Sequence, residues 1–250
     1  MAFTMSRGLG VGRAATGPIL THLRLDTRPD RPHDGPVMET EMLARAQTPQ
    51  GEVALRRRGD VVELIVNGVF AMDSAEVTSE LVLADLVPAT ARRVLVGGLG
   101  LGFTADRLLA RPELQLDVVE LAGPLIEWAR QGVTAQLGRV ASDPRVQLHH
   151  ADIAAFVEAS DDHWDALLLD VDNGPTFLIH DQNAAVYGSD FLRHCLARLA
   201  PGGMLAIWCE DASPALAATL ATLADVQTHE IPVTREGRDF TYVVYLATPR

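Results

Sequence analysis

The chain has 250 residues, 48% of them hydrophobic, and a formal net charge of -12, enough to bury a substantial core but without the basic face that a nucleic-acid backbone requires. All 21 basic residues are arginine, which excludes Schiff-base chemistry and any phosphate loop that depends on lysine. No apolar run reaches the roughly 18 residues of a membrane span, and the two cysteines, Cys195 and Cys209, lie in apolar stretches rather than in a disulfide or metal-binding pattern.

In chain order, residues 1–40 read as an irregular arm: "TRPDRPHDGP" carries proline, glycine and charge without periodicity. Glycines interrupt the apolar run at the very start and no cleavage site follows, so no secretory signal is expected and the protein is placed in the cytoplasm. Residues 41–75 read as a small β unit, in which "GEVALRRRGDVVELIVNGVFAMD" alternates polar and apolar residues around turns at Arg58-Gly59-Asp60 and Asn67-Gly68. Arg56, Arg57 and Arg58 read as the solvated tip of a hairpin. A helix over 74–87 follows, with Ser74 as its N-cap.

From Arg93 the pattern alternates. Strands are expected at 94–97, 116–121, 146–149, 166–170 and 204–208, with helices at 104–110, 123–131, 153–159 and 190–199. Two last strands, 225–232 and 240–247, flank "VTREGRD" as an antiparallel hairpin. The expected fold over 76–250 is therefore α/β, a Rossmann-like, doubly wound, mostly parallel sheet closed by that hairpin.

Between the first strand and helix of this domain stands "GGLGLG". Gly98, Gly100 and Gly102 let a ligand approach the backbone and the helix N-terminus. Glu120 ends the next strand, where a carboxylate can accept both hydroxyl protons of a ribose. Gly100-x-Gly102-x-x-Ala105, with Glu120 20 residues past Gly100, also fits a dinucleotide fingerprint. The remaining strand ends favour a different cofactor. A third strand ends in "HHADI", where Asp152 can accept from an adenine amino group; a fourth ends in "LLLDVDNGP"; "LAPGGMLAIW" introduces a fifth before the hairpin. That order is the layout of an S-adenosylmethionine-type transferase.

Over about residues 45–247 the chain resembles the spermidine synthase-like branch of the class I methyltransferase fold. Where that family has "GGGDGG", "VEID" and "DSSDPxGPA", this chain has "GGLGLG", "VVEL" and "DVDNGPT"; Asp152-Ile153 matches an aspartate followed by a small residue, and "YGSDFLRHCLARLAPGG" is similar to "FYxxxxxxLxPGG". The resemblance implies that Gly98, Gly100 and Gly102 pass under the cofactor tail, that Glu120 binds ribose, and that Asp152 and Ile153 meet adenine. Asp170 matches the first aspartate of the catalytic motif, receiving or orienting the proton of an attacking amine, and Asp172 is assigned to the second.

Three departures bear on the reaction. The motif aspartate that faces the aminopropyl ammonium of decarboxylated S-adenosylmethionine is Gly100 here, which removes a charge that would repel the carboxylate of ordinary S-adenosylmethionine. Thr78-Ser79-Glu80 stands for the family's "YHE", and Ala71 for its glutamine. The expected function is accordingly methyl transfer from S-adenosylmethionine to a small amine or similar nucleophile. Aminopropyl transfer from the decarboxylated cofactor is the alternative, and a non-catalytic nucleoside-binding scaffold is a third reading of another class.

The segment "LIHDQNAAVYGSDF" reads as a loop closing over the acceptor, with Asp181 and Tyr187 as acceptor-binding candidates. His149, His150, His180, His194 and His229 lack metal-ligand spacing, so no metal is expected, and Trp128 reads as core. The resemblance implies a homodimer or higher homo-oligomer, with neither nucleic acid nor membrane as partner.

Overall fold

The computed structural model describes residues 39–171, 174–175, 185–235 and 237–250. Strands β1 (Thr40–Thr48), β2 (Gly51–Arg58), β3 (Val61–Val66) and β4 (Val69–Asp73) form an antiparallel sheet in sequence order. The β3–β4 turn is Asn67-Gly68, both at positive φ (54° and 76°), the backbone that a tight hairpin requires. Arg57 of β2 pairs with the exposed Glu41, as a solvated tip would, but Arg56 and Arg58 do more. Glu63 of β3 is 2% exposed and accepts from Arg56 Nε at 2.5 Å and Arg58 Nε at 3.0 Å, because a buried carboxylate needs paired donors.

Helix α1 (Thr78–Asp85) begins four residues later than its sequence pattern predicts, and Val77, not Ser74, stands at its N-cap. Ser74 is committed elsewhere: its hydroxyl accepts from Val62 N–H at 2.9 Å, while the carboxylate of Asp73 accepts from the N–H groups of Ala75 and Glu76. These bonds hold the chain in a turn before the helix starts.

The main sheet runs through β5 (Arg93–Gly97), β6 (Gln115–Glu120), β7 (Val146–His150), β8 (Trp164–Leu169), β9 (Leu199–Cys209), β10 (Asp225–Arg235) and β11 (Arg238–Thr248), in spatial order β10-β11-β9-β8-β5-β6-β7. The strands from β5 to β9 pair in parallel, whereas β11 pairs antiparallel with both β9 and β10. Helices α2 (Phe103–Leu109), α3 (Gly123–Gln131), α5 (Ile153–Ala159) and α6 (Ser189–Ala197) lie where the sequence pattern puts them, within two residues at either end. Two more, α4 (Ala135–Ser142) and α7 (Pro214–Leu223), are not among the expected helices: the first keeps an apolar face but holds Gly138 inside it, and alanine and leucine surround the second, leaving little polar contrast. Their caps are legible afterwards, since Thr134 and Ser213 each accept from the N–H three residues on.

Two apolar layers sandwich the sheet. One joins Val94, Val96, Leu116 and Val118 to α1 to α4 and the small sheet through Leu83, Ala105, Leu108, Leu125, Leu137 and Leu55. The other joins Leu95, Leu167, Leu205 and Ile207 to α5, α6 and α7. The strands alternate sides because successive side chains point to opposite faces, and each such leucine contributes about 1.5–3 kcal/mol by leaving water. Trp128, Cys195 and Cys209 are core residues, the two thiols free. No helix among the described residues is long and apolar enough to cross a membrane.

The strand order creates the site. The chain leaves the centre of the sheet at β5, builds outward through β6 and β7, and returns at β8 to build the other way. Beyond the carboxyl ends of β5 and β8 the connections diverge, opening the crevice in which α/β sheets hold ligands.

Candidate functional site

Gly98 and Asp170 follow β5 and β8 across that crevice. Gly98 N–H donates to Val119 O at 2.8 Å, and Asp170 N–H donates to Gly97 O at 2.9 Å, so both loops leave the sheet under backbone restraint. At Gly98 φ is +95° and a Cβ would stand 2.0 Å from the carbonyl oxygen of Asp170. No side chain fits. Asp170 Oδ2 accepts from Thr104 Oγ1, in the first turn of α2, at 2.9 Å. Burial, opposed only by that hydrogen bond, pushes the Asp170 carboxyl up to about 6.

Glu120 ties the glycine turn to the next strand. Its carboxylate accepts from Leu99 N–H at 2.9 Å and Ala122 N–H at 2.7 Å, positioning the loop from which Gly98 and Gly100 face the cavity. Burial raises its pKa and the surrounding backbone N–H groups pull the other way. Gly102, the left-handed N-cap of α2, also touches the cavity, but a Cβ there would press on Val140 and Leu137 of α4 at 3.3 and 3.5 Å; its small size serves helix packing as well as ligand approach. Asp152 caps α5, with Oδ1 accepting from Ala155 N–H at 2.9 Å, which leaves Oδ2 for a ligand. Ile153 lies 6% exposed at the cavity wall beside Gly97 and Val171.

The opposite wall comes from elements distant in sequence. Met72 of β4 reaches over the glycine turn, its sulfur accepting from Leu101 N–H at 3.3 Å. Glu80 of α1 lines the cavity and accepts from Ser79 Oγ at 2.7 Å; burial first, then the negative charge of Asp170, push its carboxyl up to about 7. Trp208 and Glu210 follow from β9, Arg235 from β10 and Tyr242 from β11. Burial and the neighbouring Asp211 raise the pKa of Glu210, with Arg235 opposing.

Sequence reasoning places Gly98, Gly100, Gly102, Glu120, Asp152, Ile153 and Asp170 at one site, and the fold brings all of them to one cavity. Tyr187 goes elsewhere: it is 8% exposed, in the apolar layer with Phe191 and Leu192, because its short turn packs beneath α6 rather than beside the cavity. Asp172 and Asp181 lie outside the described residues, as does most of the expected loop. His149 is a structural partner, its Nε2 lying 2.9 Å from Asp117, which also accepts from Trp164 Nε1. Met72, Trp208, Glu210, Arg235 and Tyr242 have no local sequence signal. Glu80 has one, its place in Thr78-Ser79-Glu80, the segment that stands for the family's "YHE".

Comparison with known proteins agrees with this architecture. The polyamine aminopropyltransferase of Nitrosomonas europaea is 34% identical over 141 residues, covering 54% of this chain and 41% of the relative; that of Corynebacterium efficiens is 28% identical over 172 residues, covering 66% and 32%. The chain thus spans less than half the length of these curated relatives. Among solved structures, spermidine synthase from Thermotoga maritima superposes with a TM-score of 0.68 at 19% identity, over 84% of this chain and 74% of that one. Human methyltransferase-like protein 13 in complex with SAH gives 0.54 at 18% identity, over 69% and 80%. The sheet order and the small antiparallel sheet are those of a spermidine synthase-like class I methyltransferase fold, and because the methyltransferase small domain model matches residues 62–234, well over half of its length, the chain belongs to the methyltransferase small domain family.

Proposed function

We propose that the protein transfers a methyl group from S-adenosylmethionine to a small amine. The observation that carries this reading is the pair of buried carboxyls, Asp170 and Glu80, facing one cavity beside a glycine turn with no carboxylate at position 100, where the Met72 sulfur fills the space.

The residues fit the cofactor. Gly98 and Gly100 would present bare backbone to its amino-acid tail, Glu120 retains lone pairs that would take ribose hydroxyls, and the free oxygen of Asp152 and the apolar Ile153 would hold adenine. When bound, S-adenosylmethionine supplies an electrophilic methyl carbon whose bond to sulfur breaks, the electron pair staying on sulfur, as the bond to nitrogen forms. Asp170, held by Thr104, and Glu80 accept hydrogen bonds from the acceptor amine, aim its lone pair and take up the proton it sheds. Raised pKa values place both near neutrality, where a carboxylate is a useful base.

Gly100 and Met72 favour the carboxylated cofactor, since no anion stands there to repel it. Aminopropyl transfer from the decarboxylated form is the second reading, supported by the polyamine aminopropyltransferases among the relatives. Asp172 as the second catalytic carboxylate and Asp181 on the acceptor side belong to the proposal through the family resemblance alone, whereas Tyr187, in the apolar layer away from the cavity, does not. The reading further places the protein in the cytoplasm, supported by two free thiols, and as a homo-oligomer, supported by Met42 and Val69 exposed on the small sheet.

Calorimetric titration with S-adenosylmethionine and with its decarboxylated form tests this. Tighter binding of the first supports methyl transfer, tighter binding of the second restores aminopropyl transfer, and binding of neither rules out both.

A further inference from the structure

Two residues that line the cavity carry a buried N–H donor with no acceptor among the described residues. Trp208 Nε1 and Arg235 Nε are both buried and without a hydrogen-bond partner among the described residues, and both side chains line the cavity. A third such atom, His229 Nε2, belongs to a residue that does not line it. Buried donors are almost always paired in a folded protein, so two of them on residues that line one cavity direct attention to the Arg235 guanidinium, whose side chain is 24% exposed.

The fold holds these donors in place. Trp208 packs edge-on to Tyr242, ring centroids 5.2 Å apart, in the apolar layer that also contains Leu83 and Ala84 of α1. The Arg235 guanidinium sits 5.0 Å from the centre of the Phe70 ring, which fixes its plane. Its ion pair with Asp73 is long, 4.0 Å, and the Asp73 oxygen concerned already accepts from two backbone N–H groups. Glu80 and Glu210 line the same cavity, yet neither forms a hydrogen bond with Arg235 among the described residues. The cation is stacked and oriented but not neutralised by close contact.

We propose that the acceptor is an aminocarboxylate, whose amine is held by Glu80 and Asp170 and whose carboxylate pairs with the Arg235 guanidinium. This rests on the transferase reading above and names its substrate class. A carboxylate offers two oxygens with lone pairs in one plane, matching a planar guanidinium and its charge. A phosphate matches the guanidinium too, but its second negative charge would face Glu80, Asp170 and Glu210 across a poorly screened cavity. A plain diamine fits worse: it leaves Arg235 without a close anion and sets an ammonium against it.

The test uses the full chain and begins with S-adenosylhomocysteine, whose binding is measured by calorimetry. With that ligand saturating, 4-aminobutyrate and 1,4-diaminobutane, which are matched in length, are titrated separately. The aminocarboxylate is expected to bind at least tenfold more tightly. Arg235→Met keeps an apolar stem and removes the cation, so the preference should reverse toward the diamine, a change that a misfolded variant cannot produce. Equal or tighter binding of the diamine by the unaltered protein, binding of neither compound, or an unchanged preference in Arg235→Met overturns the proposal while the transferase reading stands. Failure to bind S-adenosylhomocysteine overturns both.

Discussion

The sulfur of Met72 lies 2.8 Å from where a Cβ on Gly100 would stand, so a residue of the small sheet fills the space above the glycine turn of the main sheet. Gly100 has φ +51°, a region aspartate enters more readily than most residues. The obstacle to a carboxylate there is Met72 as much as the backbone. Gly100→Asp is expected to lower affinity for S-adenosylmethionine at least tenfold and to shift preference toward the decarboxylated form, with Met72→Ala in the same chain restoring part of the binding. Calorimetry with both cofactors checks this; undiminished affinity for S-adenosylmethionine would separate Gly100 from cofactor choice.

Asp170 and Glu80 tie activity to pH. Their folded pKa values, about 6 and about 7, lie above the ordinary 3.8 and 4.5. The folded state therefore holds protons more tightly, and the stability these groups contribute is present at low pH and lost as pH rises from about 4 to about 7. Activity runs the opposite way, since a base must be ionised, and should climb over the upper part of that range. Asp170→Asn is expected to cut kcat by roughly 10²–10⁴. The double variant Asp170→Asn/Glu80→Gln should flatten the fall in Tm between pH 5 and pH 8 by several degrees, at about 2–4 °C per kcal/mol. Parallel melting curves for variant and parent would show that the two carboxyls are not desolvated.

Glu120 accepts from two N–H groups that flank the cofactor face. Glu120→Gln keeps the shape but replaces one accepting oxygen by a donor, opposing an N–H with an N–H. Cofactor affinity should fall on the order of 100-fold, with Tm lowered by only a few degrees. Equal loss of both would assign Glu120 to the scaffold alone.

Glu63 makes a stability prediction remote from the cavity. Burial opposes its ionisation, but the Arg56 and Arg58 guanidinium groups outweigh that and lower its pKa. Its contribution is present above the ordinary carboxylate range and lost as pH falls through the lowered value. Glu63→Ala should destabilise by about 1–3 kcal/mol, below the usual cost of breaking a fully buried pair because both arginines reach water. Urea unfolding at pH 7 measures it; a change under 0.5 kcal/mol would class the pairs with ordinary surface ion pairs.

Much of the main sheet was legible because parallel strands buried on both faces read as short apolar runs, and because glycine and aspartate at their carboxyl ends mark where the backbone turns toward a ligand. Helices α3 and α6 were legible from their apolar spacing, whereas α4, equally amphipathic, was hidden by the glycine inside it. Ser74 misled, since its N-cap chemistry serves a strand-to-helix turn equally well, and Arg56 and Arg58 misled because nothing local reveals that Glu63, on the neighbouring strand, is buried.

The sequence by itself determined one half of the cavity: Gly98, Gly100, Glu120, Asp152 and Asp170 each end or follow a strand of the parallel sheet, and strand ends are set by local pattern and pairing. Only the tertiary structure decided the other half. Met72, Glu80, Trp208 and Arg235 come from β4, α1, β9 and β10, and their meeting depends on how the small sheet and the terminal hairpin pack against α1. That packing is driven by non-directional burial of apolar surface, which leaves no motif at the residues it brings together.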